Sequence, residues 1–308
     1  MSLEVTPSNV DAYKKTKNAS SPWKSALRRL RKNKLAMLGL ILLVLMFTIC
    51  FIGPLLSPFT ADDPINIIKG NKAPNSTNLF GTDNLGRDIL LRTMLSGRIS
   101  LLVGIIVAVI NVLIGSTLGA IAGYYKGFVD TIIMRIADVI NSIPGLPLLI
   151  ILGTLLSDMK IPPDQRIYIV MLLLGFLSWP SLARLVRGQI LTLREQEFML
   201  ATEALGLRDR RKIFRHLLPN TVPIIIVVAT LSVAGAILSE STLSFLGLGV
   251  VPPTPSWGNM ITAALTLLEL QKRPWIWIPP GVFIIITVLA INFIGDGLRD
   301  ALDPKMKR

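Results

Sequence analysis

Residues 201–220 read ATEALGLRDRRKIFRHLLPN, a basic stretch set between two apolar runs at residues 167–183 and 221–239. It contains one glycine, Gly206, and ends in Leu218-Pro219-Asn220. After Gly206, Ile213, Phe214, Leu217 and Leu218 recur at helical spacing. Arg208, Arg211, Lys212 and Arg215 recur at i, i+3, i+4 and i+7. The pattern predicts a short amphipathic helix on a membrane surface, displaying cations and a narrow apolar edge. Gly206 suits a left-handed turn between two short helices. Pro219 disfavours continuing the first helix and begins the next apolar segment.

The rest of the chain sets that stretch in a membrane. Of 308 residues, 51% are hydrophobic and only 17% charged, against about 25% charged in a soluble domain; the mean hydropathy is +0.60. Six segments are long and apolar enough to cross a bilayer, at residues 35–59, 99–125, 139–157, 167–183, 221–239 and 275–295. Prolines 144, 147, 180, 279 and 280 fall within them. Each frees backbone carbonyls that neighbours or a water-lined cavity must satisfy, so these helices are expected to bend or to shape packing. The first segment is too long for a cleaved leader and reads as an anchor. The expected fold is an all-α polytopic membrane protein. Residues 1–34 form a basic N-terminal segment, 35–98 an anchor and outer loop, and 99–308 a five-helix core containing the loop at about 195–220.

Lysine and arginine orient it. With the N-terminus in the cytoplasm, 23 of the 32 basic residues fall on the cytoplasmic side. Both termini and the Gly206 loop then face the cytoplasm. The +13 net charge is thereby a topology signal and requires no nucleic-acid partner. On the outer side, a long loop ending in GTDNLGRDILLRTMLSGRIS precedes the second segment, and the proline-rich LSFLGLGVVPPTPSWGN follows the fifth.

Several chemistries are absent. No G-x-x-x-x-G-K-[ST] motif occurs, so the chain holds no ATP by a P-loop. The one cysteine, Cys50, allows no internal disulfide. The one histidine, His216, lies in the basic loop and supports neither a zinc site nor a Ser/His/Asp set. Ionisable and polar groups within the segments are few. Glu240, Asn111, Asn141 and Ser178 are candidates for a pathway or its gate. Interhelical hydrogen bonding is the competing role for the amides and the hydroxyl. For Glu240 the competing role is a boundary position capping a helix that begins near Ser241. Arg135 with Asp138, and Asp296 with Arg299, are spaced to pair within one helix.

The basic loop resembles the EAA loop of ABC importer permeases, roughly E-A-A-x3-G-x9-I-x-L-P. Ala201, Gly206, Leu218 and Pro219 fall on the pattern; Leu200, Thr202 and His216 stand where it has glutamate, alanine and isoleucine. FGTDNLGRDILLR, ESTLSFLGLGVVPPTPSWG, NFIGDGLRDALDP and KSALRRLRKNKLAMLGL are similar, in order, to the C-type permeases of the peptide and nickel branch.

The resemblance implies a type I importer permease in a prokaryotic cell membrane, non-catalytic itself. It implies a second homologous permease subunit and two cytoplasmic ATPase subunits that bind ATP and Mg. An extracytoplasmic substrate-binding protein would deliver di- or oligopeptides, nickel or another small solute. The helix after Gly206 would be the coupling element, carried by Gly206, Leu207, Arg208, Arg211, Lys212, Phe214 and Arg215. Phe214 and Leu217 would fill an ATPase pocket while the cations meet acidic partners. The competing role of the cations is adhesion to anionic lipid, about 1 kcal/mol each. A secondary transporter or a channel remains the alternative; the first would require coupling carboxylates and the second a pore ring.

Overall fold

A backbone in hydrocarbon must satisfy its own hydrogen bonds, and long apolar runs do so as helices. The computed structural model describes residues 22–60 and 65–302, and the described residues are predominantly helical. The outer parts of the two basic termini lie outside them. In chain order the helices are α1 (Pro22–Lys32), α2 (Lys34–Phe51), α3 (Gly53–Leu56), α4 (Ile89–Tyr125), α5 (Gly127–Ser142), α6 (Gly145–Asp158) and α7 (Pro163–Leu193). They continue with α8 (Glu197–Ala204), α9 (Asp209–Arg211), α10 (Leu218–Phe245), α11 (Trp257–Ile261), α12 (Leu267–Lys272) and α13 (Pro274–Leu302). Five stretches are long and apolar enough to cross a membrane, and six when the bent pair α5–α6 counts as one.

The boundaries differ from the sequence reading for physical reasons. The second span begins at Ile89, not Ile99, because Asp88 caps it by accepting from the Leu91 amide at 2.7 Å. Arg92 and Arg98, which fall within the added turns, are both occupied. Arg92 lies 3.6 Å from Asp83, and Arg98 donates to the carbonyls of Cys50 and Phe51, each at 2.9 Å, closing the end of α2. The third span is two helices meeting at Pro144 with a 79° bend. Proline 180 sits inside α7, which runs on to Leu193. The predicted pairs within one helix do not form. Asp138 pairs across to Arg184, and Asp296 and Arg299 make no ion pair with each other.

Helices α4 and α7 pack more extensively than any other pair, followed by α4 with α10 and α2 with α13. Small residues make the first contact possible. A Cβ on Gly119 would stand 2.5 Å from the Ala183 carbonyl oxygen, and one on Gly123 2.8 Å from that of Arg187; Gly115 abuts Leu182. These glycines recur every four residues, a ridge that lets two backbones approach closely. Beyond the ridge, Ala120, Tyr124, Leu182, Val186 and Ile190 continue one core toward the basic end of the bundle. At the opposite end, Asp83 accepts from the Leu85 and Arg87 amides at 2.9 Å and from Arg87 Nε at 2.7 Å. The GTDNLGRD loop is thereby folded into a tight cap on α4.

Gly119→Val is expected to overpack the α4–α7 contact, costing about 1–3 kcal/mol or more. Gly188 has no neighbouring atom within 4 Å, so Gly188→Val is expected to leave the thermal melting of the detergent-purified chain nearly unchanged.

Candidate functional site: the basic loop and the carboxylate knot

At the basic end of the bundle, α7 finishes at Leu193 and α8 runs from Glu197 to Ala204. Gly206 then takes φ +64. Its amide donates to the Glu203 carbonyl at 2.9 Å, and the Leu207 amide to that of Thr202 at 3.2 Å. Together these close a Schellman turn, which requires a residue tolerant of positive φ. Helical structure resumes at Asp209, passes through a π-helical turn at Lys212–Leu217, and enters α10 without a break. Pro219 lies in the first turn of α10, directly after the π turn. The expected interruption at Pro219 is therefore absent; the wider π turn carries the chain through, and the basic element is the end of a span.

The π turn also redistributes the predicted stripes. Ile213 and Leu217 are buried against Met199, Ile190 and Tyr124. Leu217 fills this chain's own core and cannot enter a partner. Phe214 remains 42% exposed. Arg208, Arg210, Arg211 and Arg215 surround it, lining a shallow open depression of about 340 Å³. Arg210 takes the place expected for Lys212, which turns inward to lie 3.6 Å from Asp209. The outcome is one aromatic ring framed by four guanidiniums.

This surface is tied to the bundle by residues that sequence spacing did not single out. Tyr124, at the end of α4, donates its hydroxyl to Asp209 Oδ1 at 2.6 Å. Arg194 hydrogen-bonds the Tyr124 carbonyl and stands 5.4 Å over its ring. The start of α9 is thus clamped to α4 and α7. Local periodicity carries no sign of a partner so distant in sequence.

At the other end of α10, Glu240 is completely buried. Its Oε2 accepts from Ser100 Oγ at 2.9 Å and its Oε1 from Ser244 Oγ at 2.7 Å. The Trp257 amide approaches Ser100 Oγ at 3.4 Å, and the indole of Trp257 donates to the Thr93 carbonyl at 3.0 Å. Helix α10 continues through Ser241 to Phe245, so Glu240 caps no helix. It is the knot where α4, α10 and α11 meet. Asn259 secures the preceding loop by donating to the Val250 and Thr254 carbonyls at 3.1 and 2.9 Å.

A bundle that turns a basic, aromatic-centred surface outward on the end of one span has a counterpart among known sequences. Residues 115–308 match the model of the binding-protein-dependent transport system inner membrane component. Residues 21–74 match the N-terminal transmembrane domain of oligopeptide transport permease C. The chain belongs to the binding-protein-dependent transport permeases. It is 41% identical over 298 residues to the oligopeptide transport system permease protein OppC of Bacillus subtilis, covering 97% of this chain and 94% of that one. It is 42% identical over 291 residues to the dipeptide transport system permease protein DppC of Alkalihalophilus pseudofirmus, covering 94% and 92%. The OppC of Haemophilus influenzae is 42% identical over 286 residues, covering 92% and 89%.

In this permease the candidate residues fall into separate places. Arg208, Arg211, Phe214 and Arg215 share the exposed surface with Gly206, while Leu207 and Leu218 are half-buried beside it. Ala201 and Leu200 are exposed on α8. The candidates for the pathway are not gathered at one point. Asn111 is buried and donates to Ser232 Oγ at 2.9 Å, joining α4 to α10. Ser178 donates to the Gly175 carbonyl within its own helix. Asn141 is exposed on α5 beside Arg184.

Three substitutions at two positions test this geometry. Tyr124→Phe removes a hydrogen bond to a charged acceptor, about 1.5–3 kcal/mol; amide exchange across residues 206–217 is expected to quicken while the remaining spans keep their protection. Glu240→Ala leaves two buried hydroxyls without an acceptor and is expected to destabilise by about 1–3 kcal/mol. Glu240→Gln, which keeps an acceptor oxygen, is expected to cost less in the same melting experiment.

Proposed function

We propose that this permease is the C-type subunit of an ATP-driven importer of di- or oligopeptides, and that it couples to ATPase subunits through the surface centred on Phe214. The observation that carries the coupling role is the unbroken helical run from Asp209 to Phe245. A partner seated on Phe214 pushes directly on a membrane span. Over the residues from Phe214 to Glu240 the helix extends about 39 Å at 1.5 Å per residue, so one rigid element links the docking surface to the knot under the opposite loops. Four arginines around one aromatic ring suit an acidic groove with an apolar floor.

In this reading the basic end faces the cytoplasm, as do both termini, in a prokaryotic cell membrane. A second homologous permease completes the pathway. Two cytoplasmic ATPases bind ATP and Mg, and this chain is non-catalytic. The loops at the opposite end receive an extracytoplasmic binding protein. The peptide class follows the relatives, which are oligopeptide and dipeptide transport permeases.

Co-expression with the second permease and the ATPases tests the proposal. ATPase subunits are expected to co-purify, and peptide-loaded binding protein to stimulate hydrolysis. Phe214→Ala is expected to weaken ATPase association by about 2 kcal/mol or more, roughly thirtyfold. A chain that transports without any ATPase partner would return the reading to a secondary transporter or channel.

A further inference from the structure

The exposed side of α7 changes character at Pro180. Before it, Tyr168, Leu172 and Phe176 stand out as an apolar stripe. After it, the exposed positions are Ser181, Arg184, Leu185, Gly188, Gln189 and Thr192. Arg184 lies about 14 Å along the helix from its end at Leu193, at 1.5 Å per residue. Its side chain is 44% exposed there.

Helix α5 matches this change. Phe128, Ile132, Ile136 and Val139 form one exposed apolar face. Ala137, with Ile133 and Ile140, packs on Trp179 and Ala183 of α7. The remaining face carries Asp130, Asp138 and Asn141, turned toward the arginines of α7. Arg187 binds Asp130 through two hydrogen bonds, one of them 2.6 Å, and Arg184 meets Asp138 at 2.9 Å. With its amide oxygen turned to Arg184, Asn141 accepts from that guanidinium at 2.8 Å. An open cleft of about 380 Å³ runs over both pairs, Thr131, Met134 and Arg135.

Charged groups carried on spanning helices do not face hydrocarbon; they face protein or water-filled space. Sealing two ion pairs in a dry subunit contact would cost their hydration, a penalty the pairing often fails to recover. A wet wall avoids that cost and leaves the apolar face of α5 for lipid or for the second permease. Resting on the importer reading above, we propose that the polar faces of α5 and α7 form the cytoplasm-side wall of the cargo pathway, with the Arg184–Asp138 pair contacting zwitterionic cargo. The guanidinium offers a fork to a terminal carboxylate and the aspartate an acceptor to a terminal ammonium. A paired site of both signs accommodates a peptide with free ends without retaining either a simple anion or a simple cation.

Cysteine labelling in the assembled, transporting complex tests this. Asn141→Cys and Gln189→Cys report on the wall; Ile136→Cys and Leu172→Cys report on the apolar faces. Native Cys50 is buried and stays in place. A membrane-impermeant charged thiol reagent is applied from the cytoplasmic side of inside-out vesicles. Positions 141 and 189 are expected to react about tenfold faster or more than 136 and 172, since a thiol ionises poorly in apolar surroundings. A transported tripeptide is expected to slow labelling at 141, while its N-acetylated, C-amidated form does not. Equal, slow labelling at all four positions in a complex that still transports would overturn the wet wall. Fast labelling that the tripeptide leaves unchanged, or that both forms slow alike, would overturn the zwitterion contact. Failure of the importer reading is seen separately, as loss of ATPase partners and ATP-dependent uptake.

Discussion

The close approach of α4 to α7 is the constraint on which the rest of the permease depends. Glycines 115, 119 and 123 let the two backbones meet where any larger side chain would strike a carbonyl or a neighbouring side chain. That contact brings Tyr124 to the end of α7, where it reaches Asp209 and Arg194. It also sets Trp179 and Ala183 against Ala137, which orients α5 and hence the two ion pairs. The basic surface and the ion-paired faces of α5 and α7 are therefore positioned by the same helix pair.

The second consequence is mechanical. The Phe214 surface is the end of a span and the carboxylate knot lies near its other end, so in the proposed coupling a displacement at Phe214 is transmitted along one helix. The π turn allows this, since it admits Pro219 without ending the helix. The clamp of Tyr124 and Arg194 opposes free swinging of the loop. In the proposed coupling, a load on Phe214 moves α10 together with the ends of α4 and α7, which the clamp joins to it. Glu240 holds α4, α10 and α11 at the far end, where movement of one helix is felt under the proline-rich loop.

Much of this was legible in the sequence because it rests on local chemistry. The apolar runs marked the spans, and Gly206 marked the left-handed turn. The Asp88 cap was equally local, but spacing does not show that Arg92 and Arg98 within the added turns find partners in Asp83 and two carbonyls of α2. What sequence spacing could not supply was tertiary. Asp138 had a candidate three residues away and took Arg184 instead. The stripe at Arg208, Arg211, Lys212 and Arg215 presumed ideal α-helical angles, and the π turn moved Arg210 out and Lys212 in. The glycine ridge at 115, 119 and 123 was visible as a four-residue repeat and was the signal most open to use.

The central claim is that the Phe214 surface seats an ATPase on the cytoplasmic side. A photo-crosslinking amino acid at position 214 of the assembled complex tests it most directly, with position 267, exposed on α12 at the opposite end, as the counterpart. The account requires crosslinks from 214 to an ATPase subunit and none to an ATPase from 267. Crosslinks from 214 only to lipid or to the extracytoplasmic binding protein would contradict it.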